Sequence, residues 1–268
     1  MSLERKITHR GDPITEITIN YWSTKLHSAT MGIKKEVEYQ AADSHFTKEY
    51  EVSGEVYFNG DKGGNEFSKQ VIALNTHDFE LPLPKKRLMI RTFNELEDGS
   101  GGSYKGGIEE WLSESINQSR LMKKTISCFL GVLPRFKYVT RFTRRRTPTG
   151  NEFMFPILPN KKDDPVQLIT LDGKLGAGDD FHILAGAKKV GKINGKIIGG
   201  KFVITITNED LQYDKTFHQL LILFCCALKY LDDVEDDIKT MVKNGKNNDL
   251  YEIDNYELKL FQNPRRMK

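Results

Sequence analysis

The residues best placed to do chemistry in this chain are cations. Between Glu114 and Glu152 there is no acidic residue, but Arg120, Lys123, Lys124, Arg135, Lys137, Arg141, Arg144, Arg145 and Arg146 all fall there. The last four sit on or just after a segment in which Phe136, Tyr138 and Phe142 alternate with basic or polar residues. A guanidinium presents a planar fork of donors that matches phosphate oxygens. A second acid-free interval, Asp180 to Glu209, carries Lys188, Lys189, Lys192, Lys196 and Lys201, and Arg265-Arg266-Met267-Lys268 closes the chain. Such segregation suits a basic face for anionic lipid or nucleic acid, with a solvated face and no ligand as the plainer alternative. The residues expected to meet the anion are Arg135, Lys137, Arg141, Arg144, Arg145 and Arg146, helped by Lys188, Lys189 and Lys192. Each cation near an anionic leaflet contributes roughly 1 kcal/mol. On nucleic acid the same patch would bind without sequence preference and with strong salt dependence. Arg144-Arg145-Arg146 also fits a nuclear import signal.

Other groupings offer less. Asp254, Glu257 and Lys259 resemble the Asp…Glu-x-Lys set of a metal-dependent nuclease, in which two carboxylates hold Mg²⁺ and a lysine polarises water. The same spacing arises on any charged strand face. His218 follows Asp214 by four residues and could form a dyad with it, or be a helix-start histidine bonded to a local partner. The glycines at 173–178 and 186–200 lack the strand-turn-helix setting of a phosphate loop or dinucleotide fingerprint, so they read as turns. There is no Gly-x-Ser-x-Gly elbow, no cysteine flanked by a base and no zinc-ligand spacing. The chain is expected to be non-enzymatic and to need no metal or cofactor.

These cations must be positioned by strands and helices. Lys215 to Lys243 repeats apolar residues at helical spacing, from Phe217 through Leu220, Leu221, Phe224 and Leu228 to Ile238 and Met241. It is apolar all round from Leu220 to Leu228 and amphipathic afterwards, so its first half is expected to be buried on most sides. A second helix is expected over Ile108 to Leu133, carrying Trp111 as a core residue, with Pro134 ending it. Strands are expected at 14–22, 35–40, 50–58, 67–74, 86–93, 136–142, 166–171, 181–185, 202–207 and 250–261, with 144–150 and 186–200 as turns or loops.

The predicted fold class is α+β: two mostly antiparallel, sandwich-like sheet blocks, each with one long packed helix. The first block spans 1–146 with helix 108–133, and the second spans 147–268 with helix 215–243. The 268 residues suffice for one large or two ordinary domains, and the net charge is a modest +3. No apolar stretch follows a basic start, so no secretory signal is expected. Cys128, Cys225 and Cys226 lie in apolar runs and read as reduced core residues, which fits an intracellular compartment.

In order of elements, the segment KIIGGKFVITITNEDL (196–211) followed by the helix from Lys215 resembles the C-terminal part of two-domain matrix proteins of negative-strand RNA viruses. Phe155-Pro156-Ile157-Leu158 is similar to the budding motif of some paramyxovirus matrix proteins. That resemblance implies a self-associating coat that binds anionic lipid at the inner face of the host membrane and touches viral nucleocapsid or RNA, in the virion and host cytoplasm. Phe181 to Leu184, Val190 to Ile193, Phe202 to Thr207 and the helix from Phe217 also resemble the tubby-like and scramblase family. There a hydrophobic helix late in the chain fills a β-barrel, and basic residues bind phosphoinositides. Asp172, in Ile169-Thr170-Leu171-Asp172, is similar to the strand aspartate of plant-virus movement proteins, which would imply single-stranded nucleic acid as the ligand.

Overall fold

The computed structural model describes residues 15–21, 50–59, 69–94, 104–133, 138–147, 150–158, 165–174, 180–196, 200–245 and 257–258. Twelve strands form a single antiparallel wall. They are β1 (Thr15–Tyr21), β2 (Tyr50–Asn59), β3 (Lys69–Asn75), β4 (Met89–Asn94), β5 (Tyr104–Glu110), β6 (Cys128–Leu133), β7 (Tyr138–Thr147), β8 (Gly150–Ile157), β9 (Gln167–Lys174), β10 (Phe181–Ala185), β11 (Lys188–Lys196) and β12 (Lys201–Ile206). Each strand pairs with the next in sequence, and β1 pairs with β12, from Thr15 opposite Ile206 to Asn20 opposite Lys201. The wall is therefore a closed barrel with no free edge.

Four helices accompany it among the described residues: α1 (Thr76–Glu80), α2 (Leu112–Met122), α3 (Lys215–Leu228) and α4 (Leu231–Asn244). The strand period of two sends Ile17 and Ile19, Phe153 and Phe155, Ile169 and Leu171, and Ile204 and Ile206 inward. They meet α3, whose residues Phe217 to Leu228 are all buried. The Phe224 ring packs on Phe142 of β7, Phe153 of β8 and Phe181 of β10, at centroid separations of 5.9, 4.9 and 5.5 Å. On the opposite wall, Gln219 donates to Thr92 Oγ1 of β4 (2.8 Å) and accepts from Gln70 Nε2 of β3 (3.0 Å), so its amide is not stranded in the apolar interior. The helix thus occupies the barrel's axis. Gly106 of β5 lets it come close: a Cβ there would lie 2.7 Å from Leu133 Cδ2 and 3.2 Å from Leu223 Cδ1.

The barrel's first end, where Thr15, Leu133, Ile157, Ala185 and Ile206 lie, receives the start of α3. Asp214 caps it by accepting from the Thr216 and Phe217 N–H groups (2.9 and 3.0 Å). At the second end the helix stops at Leu228. Tyr230 turns the chain, its ring held edge-on by Tyr21 and Phe79. There α4 lies over the opening and packs against α2, burying Leu231, Val234 and Ile238.

Several expectations are corrected. The sandwich-like α+β arrangement of two sheet blocks is overturned by the closed barrel. β7 pairs with both β6 and β8, so hydrogen bonding runs unbroken past residue 146, and a single apolar helix serves the whole wall as its core. The helix expected over 108–133 is instead the end of β5, the helix α2 and the strand β6. Helix α2 ends at Lys123, which adopts a left-handed conformation (φ 52°) as the N–H groups of Lys123 and Lys124 return to the carbonyls of Arg120 and Ser119. The helix expected over 215–243 is two helices. The Gly-rich stretch after 186 is a tight turn followed by the strand β11. Residues 144–147, expected as a loop, continue β7. The strand expected at 35–40 lies outside the described residues, as does all of 250–261 except Glu257 and Leu258, which are helical rather than extended.

Candidate functional site

The wall distributes the expected anion-binding residues rather than gathering them. Register places Arg145 of β7 beside Glu152 of β8, Glu152 beside Asp172 of β9, Asp172 beside His182 of β10, and His182 beside Lys192 of β11. Arg145 and Lys192 are exposed and share one outward-facing row, but four strand steps separate them. At 4.7–4.9 Å per step that is about 19 Å around the wall, with two carboxylates between. Lys188 and Lys189 are exposed at the first end, next to the turn at Gly186 and Ala187. Among the described residues no ion pair engages Lys188, Lys189 or Lys192. Arg135 and Lys137 lie outside the described residues. Of Arg146 only the backbone, in β7, is described.

Arg144 and Arg141 are held by the fold. Arg144 is 5% exposed, forms an ion pair with Glu235 of α4 and donates to Asn151 Oδ1 (2.7 Å). It anchors the capping helix to the wall instead of facing solvent. Arg141 lies over the Trp111 ring (5.4 Å to its centroid), pairs with Glu114 Oε1 at 3.0 Å and donates to Thr143 Oγ1 (2.6 Å). It fastens α2 to the outside of the barrel.

The candidate catalytic groups are likewise taken up by structure. Glu257, expected as a possible Mg²⁺ ligand, is buried. It pairs with Arg87 (3.3 Å) and accepts from the Ser113 N–H (3.1 Å) near the start of α2. Asp254 and Lys259 lie outside the described residues. His218 donates from Nε2 to the Leu211 carbonyl (3.0 Å), and burial holds its pKa below the ordinary value. The Asp214 carboxylate meanwhile serves the helix N–H groups, so the local partner is the reading that holds. Burial pushes the Cys128 and Cys226 thiols up to about 12, far from a reactive thiolate. All three cysteines are buried and none forms a disulfide. Among the described residues no group of His, Cys, Asp or Glu side chains could hold a metal ion. No helix there is long and apolar enough to cross a membrane.

Sequence reasoning missed two features. The first is a buried charge cluster under α4. Glu110, at the end of β5, is 5% exposed, and burial raises its carboxyl to about 8, aided by the nearby Asp237 and Glu257 charges. No periodicity marks such a residue, because only the second-end packing buries it. The second is a set of exposed apolar side chains at the first end, Leu158, Val166 and Leu168, more than half exposed each. Here the signal was available: Gln167 to Leu171 alternates, and if Ile169 and Leu171 face the core, Leu168 must face out.

The class of protein defined by this geometry is a closed twelve-stranded antiparallel barrel threaded by a buried apolar helix, with exposed cations on its wall and first end. Comparison of the chain with protein-family models, with curated proteins and with solved structures finds no match in any of the three.

Proposed function

We propose that this is a non-enzymatic, tubby-like peripheral membrane protein that binds phosphorylated lipid headgroups through exposed cations of its barrel. The observation that carries the reading is the apolar helix, late in the chain, enclosed on all sides by a closed β-barrel. That is the organisation the tubby-like resemblance implies. The stretch 108–133 fits it too, since it supplies two wall strands. The matrix-like reading drew on two sheet blocks with a helix each and loses that support. The polarity of the wall favours a peripheral role over strands that cross a bilayer. Its inner side is dominated by apolar side chains and its outer side carries Arg145, Glu152, Asp172 and Lys192, the inverse of a lipid-embedded barrel.

The test is co-sedimentation with vesicles of neutral lipid, of neutral lipid with phosphatidylserine, and of neutral lipid with a phosphoinositide at matched total charge, with single-stranded RNA as competitor. Preferential sedimentation with phosphoinositide vesicles, resistant to RNA and lost when Arg145, Lys188, Lys189 and Lys192 are changed to Ser, is expected. No vesicle binding at physiological salt, or binding that RNA abolishes, would remove the proposal.

A further inference from the structure

At the first end of the barrel, the ends of β8 and β9 carry three exposed apolar side chains, and β11, on the far side of β10, begins with two exposed lysines. Leu158 follows the last residue of β8, Val166 precedes the first residue of β9, and the register pairs Ile157 with Gln167 and Pro156 with Leu168. The three side chains are 55%, 58% and 51% exposed. On its other side β9 meets β10: Ile169 pairs with Ala185, and the Gly186 N–H donates to the Leu168 carbonyl (3.4 Å). Gly186 and Ala187 form an exposed turn, possible because Gly186 takes φ +60° where a side chain would be strained. Lys188 and Lys189 follow at once and are exposed.

Aliphatic side chains gathered on neighbouring strand ends, rather than scattered singly, mark an interaction surface. A bilayer interface suits them, because it accepts apolar groups below the headgroups while lysines engage the anionic layer above them. Resting on the lipid-binding reading, we infer that the protein docks by this end, with Leu158, Val166 and Leu168 inserted into the leaflet and Lys188 and Lys189 at the phosphates. Charge placement sets the tilt. Glu209 and Asp210, exposed on the segment leading into α3, keep the β12 side of this end off the anionic surface. The acidic face of α4, with Asp232, Asp233 and Asp236 exposed, lies at the opposite end and points away from it.

The buried native cysteines make a clean probe possible. Leu168→Cys is labelled on the folded chain with an environment-sensitive fluorophore and mixed with phosphatidylserine–phosphoinositide vesicles. Leu121→Cys, at an exposed apolar position on α2 at the other end, is labelled as the control. A shift to shorter wavelength and quenching by brominated acyl chains at position 168 but not at 121 are expected. Lys188→Ser with Lys189→Ser should weaken sedimentation about thirtyfold, roughly fivefold per lysine. Leu158→Ser, Val166→Ser and Leu168→Ser together should weaken it at least tenfold at unchanged Tm. If the wild type sediments but the probe at 168 stays in water, or the probe at 121 is the one that inserts, this orientation is wrong while lipid binding stands. If the triple apolar variant binds vesicles normally and instead dissociates a dimer, the patch is an interface between copies and the inference fails. If the wild type binds no vesicle, both readings fall together.

Discussion

Helices α3 and α4 are consecutive and each has fourteen residues, yet they are held by opposite means. Inside the barrel, α3 keeps twelve residues from water, and its buried amide, Gln219, is hydrogen-bonded to the wall. It needs no charge, because fully burying a Leu or Phe side chain contributes about 1.5–3 kcal/mol. Outside, α4 buries only Leu231, Val234, Glu235 and Ile238, and one of these is an ion to which Arg144 is matched. The first helix is specified by volume and the second by charge pairing. Damage to each should therefore differ in kind as well as in size.

Charge inside the barrel should be the most destructive change. Leu221→Asp places an unpaired carboxylate among core side chains, and the expected outcome is loss of the cooperative thermal transition by circular dichroism. Next comes the carboxyl trapped at the second end. Glu110 has its folded pKa raised from 4.5 to about 8, so the stability it supports is full below pH 4.5 and is lost as the pH rises to about 8. At 1.36 kcal/mol per unit this is at most about 5 kcal/mol. Glu110→Gln should flatten the urea-unfolding free energy across that window, and an unchanged slope would assign the pH dependence elsewhere.

Phe224→Ala removes the ring that touches three strands and should cost about 4 kcal/mol in urea denaturation. Glu235→Ala removes the carboxylate with which the buried Arg144 is paired and should cost about 3 kcal/mol. Replacing both partners with apolar residues, Arg144→Met with Glu235→Leu, should recover most of that loss. Recovery would establish that α4 is held by compensation of charge; its absence would make the ion pair a positive contributor. The smallest effect is at the entry to α3, where Asp214→Ala removes a cap worth about 1 kcal/mol.

The same contrast explains what could be read from residues alone. β10 and the core of α3 carried strong local patterns and were legible, as were β1, β2 and β12. The closed barrel was not, because its defining contact joins Thr15 to Ile206, and no local period encodes a partner that distant. The stretch 108–133 misled because Ile108, Leu112 and Ile116 fall at helical spacing although Ile108 belongs to a strand, and β6 is a short apolar run that either period accepts. β11 was hidden by a bulge. The register with β10 slips between Ile183 and Leu184, so Val190 and Ile193 both point inward three residues apart, which breaks the alternation a strand should display. Among the candidate site residues, the exposure of Lys188, Lys189 and Lys192 fits a reading from charge runs. The burial of Arg144 could not be seen, because its partner Glu235 lies on a helix ninety-one positions later in the sequence.

Placing the core helix after the last strand has a consequence for the growing chain. A ribosome releases all twelve staves of the barrel before it makes the rod they enclose. Until Lys215 to Leu228 emerge, the inward rows of Ile, Leu and Phe have one another and water to face, and the pairing of β1 with β12 would seal an empty lumen. The final closure must therefore wait on the late helix, and a product ending before it would hold its strands in a sticky, unsealed state suited to chaperone capture.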